Sequence, residues 1–332
     1  MTSTPQPRGP VLTPEQSTWF SQLFNRLVEN VEQVVLGKDH VLRLALATLL
    51  TGGHLLLEDY PGTGKTSLAR AIAQSVDGKA GRIQFTPDLL PGDVTGMSVY
   101  DQSKSSFEFH PGPVFSTILL ADEINRASPK TQSALLEVME EGRVTVDGVT
   151  HRVPDPFMVI ATQNPVEQAG TYRLPEAQLD RFLMKSSLGY PDTASTKQIL
   201  RNAHIRTHHV ELDAVVDTRT LQEMAALARM PYMDDSLLDY ATRLVEATRQ
   251  APEVRLGVSV RGALALVRTA TTWAAVQGRN FVIPDDLKTL ADPVLAHRLV
   301  LDPEAEFDGV SAASVIGRIL LDVAPPTERA AV

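Results

Sequence analysis

Glu58-Asp59-Tyr60-Pro61-Gly62-Thr63-Gly64-Lys65-Thr66 follows the short apolar run His54 to Leu57 and precedes a stretch with Leu68, Ile72 and Val76 on one helical stripe. A glycine-rich turn between a buried strand and a helix lets successive backbone N–H groups and the positive helix end wrap an anion. The order predicts a phosphate-binding loop, with Pro61, Gly62, Thr63 and Gly64 shaping the turn. Lys65 would reach the β and γ phosphates of a nucleotide, and the Thr66 hydroxyl would ligate magnesium. Asp59 stands where the strict pattern has its first glycine, a departure that leaves the tight turn itself intact.

The surrounding chain reads as alternating helices and strands. Thr13-Pro14-Glu15-Gln16 offers a cap, a proline at the first helical position and a glutamine three residues after the cap, so a helix starts there. A second helical stretch runs from Asp39 to Thr51 and stops at Gly52-Gly53. The apolar runs Ile83 to Phe85, Thr117 to Ala121 and Phe157 to Ala161 alternate with helical patterns, the signature of a parallel sheet covered by helices. Between Arg143 and Val153, Val144 and Val146 alternate into the turn Asp147-Gly148, which predicts an inserted hairpin. After Tyr190-Pro191-Asp192 helical periodicity takes over, as in Leu221, Met224 and Leu227, then Leu238, Ala241 and Val245. The expected organisation is a disordered tail over 1–13, an α/β domain over 14–190 and an all-helical domain over 191–332.

Composition narrows the function classes. The 332 residues hold 43% hydrophobic and 21% charged residues, the make-up of ordinary globular domains. A formal charge of -9 disfavours nucleic acid as a partner, and zero cysteines remove thiol chemistry. No signal peptide pattern or membrane-length apolar stretch is present in the sequence given, so no membrane insertion is expected and the expected location is cytoplasmic. The adjacent His208 and His209 diverge in any regular backbone and are read as surface residues, not metal ligands.

Thr117 to Glu123 reads as a buried strand ending in two carboxylates. Asp122 would hold the hydrated magnesium and Glu123 would orient or deprotonate water, at the carboxyl end of a strand near the phosphate loop. The strand after it ends in Gln163-Asn164-Pro165, where the Asn164 amide can bond the attacking water and a γ-phosphate oxygen. Arg181 closes the α/β domain and Arg261 opens a long helix of the second, two guanidinium groups suited to transition-state charge.

This succession resembles the AAA+ ATPases. Asp122-Glu123-Ile124-Asn125-Arg126-Ala127, Ala161-Thr162-Gln163-Asn164-Pro165 and Leu174-Pro175-Glu176-Ala177-Gln178-Leu179-Asp180-Arg181-Phe182 are similar to the MoxR family in particular, a clade with an insert in its second helix. The resemblance implies an α/β P-loop NTPase module with a parallel sheet, followed by a small helical lid, binding ATP and Mg2+. By the same resemblance Lys65 and Thr66 are the Walker A pair, Asp122 and Glu123 the Walker B pair and Asn164 sensor 1. Arg181 is then the arginine finger and Arg261 sensor 2, although Ser259-Val260-Arg261 lacks the usual proline between serine and arginine. Residues 86–113 resemble the helix-2 insert and 143–153 the hairpin before sensor 1; Met97, Tyr100, Phe107 and Phe109 there either grip a partner chain or pack the insert onto its own domain.

The resemblance further implies self-association into a ring, with six subunits expected. It also implies chaperone-like maturation of partner complexes, with a von Willebrand A-domain protein or another client as the partner. Two rivals are a nucleic-acid motor, disfavoured by the charge and by a hairpin with only Arg143 and Arg152 as basic residues, and a nucleotide-gated scaffold with little hydrolysis. Joint retention of Glu123, Asn164 and Arg181 argues against the scaffold.

Overall fold

The structure, a computed structural model, describes residues 12–164, 171–172, 174–205 and 211–326. Residues 1–11 of the expected tail, Pro165, His208 and His209 lie outside the described residues. The chain divides into two compact units, Asn25–Gln222 and, with the chain up to Phe24, Glu223–Val332.

Helix α1 (Pro14–Glu32) begins where the sequence sets it. Gln16 N–H donates to Thr13 Oγ1 at 3.2 Å and Thr13 N–H to Gln16 Oε1 at 3.0 Å, a reciprocal cap that satisfies two otherwise orphaned donors. Helix α2 (Asp39–Thr51) ends at Gly52, whose φ of 75° is the left-handed conformation that closes a helix.

The first unit is built on strands β1 (Leu55–Glu58), β2 (Ala80–Gln84), β5 (Ile118–Asp122), β8 (Met158–Gln163) and β9 (Met184–Ser186). They form one parallel sheet in the order β2-β5-β8-β1-β9. The strand after His54 is shifted by one residue from the apolar run, so that Glu58 closes β1. The central strands read as unbroken apolar runs because helices cover both faces. Leu56, Leu119, Ala121, Val159 and Ala161 pack with Leu135, Leu136, Val138 and Met139 of α5 (Pro129–Glu141) in one core cluster. Helix α3 (Lys65–Ser75), which follows the glycine-rich loop, buries Leu68 and Ile72, with Val76 at its end.

Two hairpins depart from the α/β alternation. The short helix α4 (Pro91–Thr95) leads into β3 (Gly96–Asp101) paired with β4 (Ser106–Pro111), and β6 (Arg143–Val146) pairs with β7 (Val149–Arg152). The second turns through Asp147 and Gly148 at φ of 49° and 79°, the positive pair that a two-residue turn needs. Phe109 stacks on His151, ring centroids 3.9 Å apart, joining the hairpins. Phe109 therefore packs within the unit, whereas Met97, Tyr100 and Phe107 stand exposed, Phe107 at 72%.

Helices α6 (Glu176–Leu179) and α7 (Thr193–Ile205) complete this part. The boundary expected near 190 and the unit boundary at 222/223 differ by the stretch that carries α7. Residues beyond it are tied back to the α/β body: Asn30 Nδ2 donates to Asp213 O, Val215 N–H to Ser75 O, and Gln222 Nε2 to Asp155 O.

The second unit carries α9 (Asp235–Gln250), α10 (Val260–Val276), α11 (Pro284–Leu295) and α13 (Ala312–Asp322), with α8 (Thr218–Leu227) leading in and the short α12 (Pro303–Phe307) near its end. A minor pair, β10 (Val254–Leu256) with β11 (Val300–Leu301), closes against it. Leu287, Leu290, Val294 and Leu295, on one stripe of α11, are buried. Leu264 is not: it is 57% exposed, one turn beyond Val260 on the outer face of α10, while Leu266 takes the core position. Among the described residues no helix is long and apolar enough to cross a membrane.

Candidate nucleotide site

The sheet register brings the predicted groups to one edge. Glu58 of β1 pairs with Gln163 of β8, and Gln84 of β2 with Asp122 of β5, so the phosphate loop, the acidic pair and Asn164 all leave the carboxyl ends of neighbouring strands. In a parallel α/β sheet that edge is where ligands bind.

Gly62 and Gly64 hold φ of 82° and 96°, left-handed values that cost a side chain strain. A Cβ added at either would meet nothing within 4 Å, so their backbone faces open space. Helix α3 starts with neither a side-chain cap nor an acidic residue in its first turn. Its orphan N–H donors, the +0.5 charge-equivalent of the helix end and the open concavity fit an oligophosphate. Lys65 Nζ donates to the carbonyls of Asp59 (3.3 Å) and Tyr60 (3.0 Å), which hold the ammonium over its own loop. The Thr66 hydroxyl and Asp122 carboxylate are hard oxygen donors suited to magnesium, which takes one or two protein ligands beside nucleotide phosphates.

The Asp59 departure has a structural reason. Asp59 is 2% exposed, and its carboxylate accepts from Ser187 Oγ (2.9 Å), Leu188 N–H (2.7 Å) and Gly189 N–H (2.7 Å). It fastens the base of the loop to the segment after β9, a job glycine cannot do. Tyr60 stacks on Tyr190 beside it, rings 7° from parallel.

The acidic pair is organised by a residue the sequence reading quoted but gave no role. Thr162, fully buried, donates from Oγ1 to Asp122 Oδ1 at 2.8 Å and accepts from Glu123 N–H at 2.9 Å. Asp122 Oδ2 also accepts from Arg82 Nη2 at 2.9 Å. Glu123 sits at φ 56°, uncommon for a residue with a side chain and of the kind concentrated at functional sites. Its Oε2 accepts from Gln84 Nε2 (2.8 Å) and Arg126 Nη1 (3.1 Å). Gln132 Nε2, buried in α5, donates to Ile124 O, Ala127 O and Tyr172 O and fixes the loop that follows. The sequence signal for these groups is a polar residue at the carboxyl end of a strand, as at Gln84 and Thr162.

His54 anchors the opposite end of β1. Val159 N–H donates to its Nδ1 at 2.9 Å, so Nε2 carries the proton and donates to Met139 O at 3.0 Å. Burial pushes its pKa down to about 4, and the ring is neutral.

The other two predicted residues stand on other elements. Arg181 pairs with Glu140, Nη2 to Oε2 3.0 Å, in the last turn of α5. Glu140 lies eleven residues beyond Pro129, the start of α5, and at 1.5 Å rise per residue that is roughly 16 Å along the helix from the end next to Glu123. Arg261 belongs to the second unit, exposed in the first turn of α10. There Ser259 is the N-cap, accepting from Gly262 N–H at 3.3 Å, and Val260 holds the first helical position, so the cap hydroxyl starts the helix without the proline.

Comparison with known proteins agrees with this fold. The family described as "ATPase family associated with various cellular activities (AAA)" matches residues 54–184, and the AAA lid domain matches 246–319. "Chaperone MoxR1" of Mycobacterium tuberculosis is 41% identical over 310 residues, 91% of this chain and 82% of that protein. The chain belongs to the MoxR family of AAA+ ATPases. The MoxR protein of Paracoccus denitrificans is 33% identical over 87% of this chain, and the uncharacterized YeaC of Bacillus subtilis 49% identical over 93% of this chain and 97% of its own. The solved structure of a candidate ATPase from Cytophaga hutchinsonii superposes with TM-score 0.88 at 39% identity, covering 94% of this chain and 98% of that one. An AAA+ module with an α/β nucleotide-binding part and a helical lid is thus the MoxR fold seen here.

Proposed function

We propose that this MoxR-family chain hydrolyses ATP as a ring, with six subunits expected, and uses hydrolysis to remodel or activate a partner protein complex. What carries the reading is the strand edge on which an uncapped α3 and open glycine turn lie beside an acidic pair locked by Thr162. The name of the chaperone relative supports a client protein, for which a von Willebrand A-domain protein is one candidate.

In this reading the loop from Pro61 to Gly64 and the α3 N–H groups cradle the phosphates, and Lys65 exchanges its two carbonyl partners for β and γ oxygens. Thr66 and Asp122 would hold magnesium, Asp122 partly through water, and the ion would supply charge neutralisation at the transferred phosphoryl group. Glu123 orients and deprotonates the attacking water, held in place by its backbone bond to Thr162. Asn164 bonds the same water and the γ-phosphate. Arg261 serves from the lid, and Arg181 serves the phosphate of a neighbouring subunit, in keeping with its anchorage at the far end of α5. The nucleotide-binding part is assigned to 14–190 and the lid to 191–332.

Calorimetry and turnover on two variants separate the steps. Lys65→Ala is expected to lose nucleotide binding, whereas Glu123→Gln keeps binding and loses turnover, since the amide preserves shape without basicity. Unchanged affinity in Lys65→Ala, or wild-type turnover in Glu123→Gln, contradicts the assignment.

A further inference from the structure

Helix α5 ends on the acidic run Glu137, Glu140 and Glu141 with no basic residue in its last turn. A helix C-terminus already carries partial negative charge, so carboxylates there are misplaced unless cations answer them. Two are answered: Arg143 Nη2 lies 2.9 Å from Glu141 Oε2, and Arg181 Nη2 lies 3.0 Å from Glu140 Oε2. Both pairs line one pocket of about 740 Å3 formed by α5, the β6–β7 hairpin and Gln178. The first pair is local in sequence, but the second ties α5 to the turn after α6.

Resting on the reading of Arg181 as the group that reaches a neighbour's phosphate, we propose that Glu140 is its positioning residue, holding the guanidinium extended at the pocket wall. The backbone at Arg181 is already fixed, because its N–H donates to Gln178 O at 3.2 Å and the next side chain, Phe182, is fully buried. The freedom left is that of a long side chain, and the carboxylate narrows it. The contact uses one Nη of a planar fork with five N–H donors, which leaves geometry for bidentate capture of a phosphate. With side chains 29% and 39% exposed, the pair is open to solvent and exchangeable, so it aims the arginine without locking it.

The test measures kcat and KM for ATP in assembled full-length wild type, Glu140→Ala, Glu140→Gln, Arg181→Ala and the Glu140→Ala/Arg181→Ala double variant, with single turnovers for the slow ones. Glu140→Ala is expected to lower kcat about tenfold to a hundredfold with KM unchanged, up to the scale of a catalytic group misplaced by about 1 Å. Glu140→Gln is expected to recover most of it, because its amide oxygen still accepts from the guanidinium. Once Arg181 is Ala, adding Glu140→Ala is expected to change nothing, since Glu140 acts only through the arginine. Wild-type or raised kcat in Glu140→Ala, or the same loss in both backgrounds, overturns the positioning role while leaving Arg181 in place. Wild-type turnover in Arg181→Ala would instead overturn the finger reading beneath it.

Discussion

Replacing Thr162 by Val keeps the volume of a fully buried side chain and deletes one hydroxyl, so the loss can be worked out from two contacts. The first is a bond to the Asp122 carboxylate, and bonds to charged groups contribute about 1.5–3 kcal/mol. The second leaves the Glu123 N–H without its acceptor, a stranding that costs about 1–3 kcal/mol when the group is buried. Allowing for partial relaxation, the variant should be about 2–4 kcal/mol less stable, a fall in Tm of very roughly 6–12 °C for a unit of this size. Glu123 would also be released from φ 56°, and its carboxylate would move away from the position in which we propose it orients water. Turnover should therefore fall about tenfold or more with KM for ATP little changed, because Lys65 and the phosphate loop are untouched. Thr162→Ser, which keeps the hydroxyl, should recover most of the activity. Thermal melts and steady-state kinetics on the two variants suffice. A Thr162→Val protein with wild-type Tm and kcat would refute the claim that this hydroxyl organises the acidic pair.

His54 predicts a pH dependence of stability. Its folded pKa of about 4 lies below the unfolded value of about 6.5, so the unfolded chain binds the extra proton between them. Its contribution is complete above pH 6.5 and is lost as pH falls toward 4, about 2 kcal/mol by pH 5. The drop in urea midpoint between pH 7 and pH 5 should shrink in His54→Gln; an unchanged drop would remove His54 as its cause. Asp59→Ala strands the Leu188 and Gly189 N–H groups and should destabilise by about 3 kcal/mol or more, checked by urea unfolding. Asp59→Gly, which restores the strict loop pattern, should be no better.

The sheet and its phosphate loop were legible because apolar runs of strand length and a glycine turn before a helix are local signals. Helix α2 runs from Asp39 to Thr51 as read, and the hairpin turn falls on Asp147-Gly148. The long motif strings carried the family, and the helical second domain was legible on its own as helical periodicity after Asp192. What escaped was the contact network, since bonds such as Thr162 to Asp122 or Asp59 to Gly189 join residues distant in sequence through sheet register. Asp59 looked like a lapse from a pattern and is a tether. In α10 the helical period puts Ala265, Leu266 and Ala270 inside and Leu264 outside, a division that neighbouring apolar residues do not reveal by themselves. The Glu140 partner of Arg181 was invisible because nothing in a linear motif points across from α6 to α5.

The central claim is that one catalytic site is shared by two subunits, and mixing two inactive variants tests it most directly. Arg181→Ala keeps an intact phosphate loop and lacks the finger, while Lys65→Ala lacks the loop cation and keeps the finger. A finger supplied in trans is worth about 10³–10⁵ in rate, so each alone should be nearly silent, and wild-type activity per chain should fall on dilution. When the two are co-assembled, interfaces that join the intact loop of one to the intact Arg181 of the other should regain activity that peaks at intermediate ratios. No recovery at any ratio from variants shown to co-assemble, together with wild-type turnover per chain that is independent of dilution, would contradict a shared site.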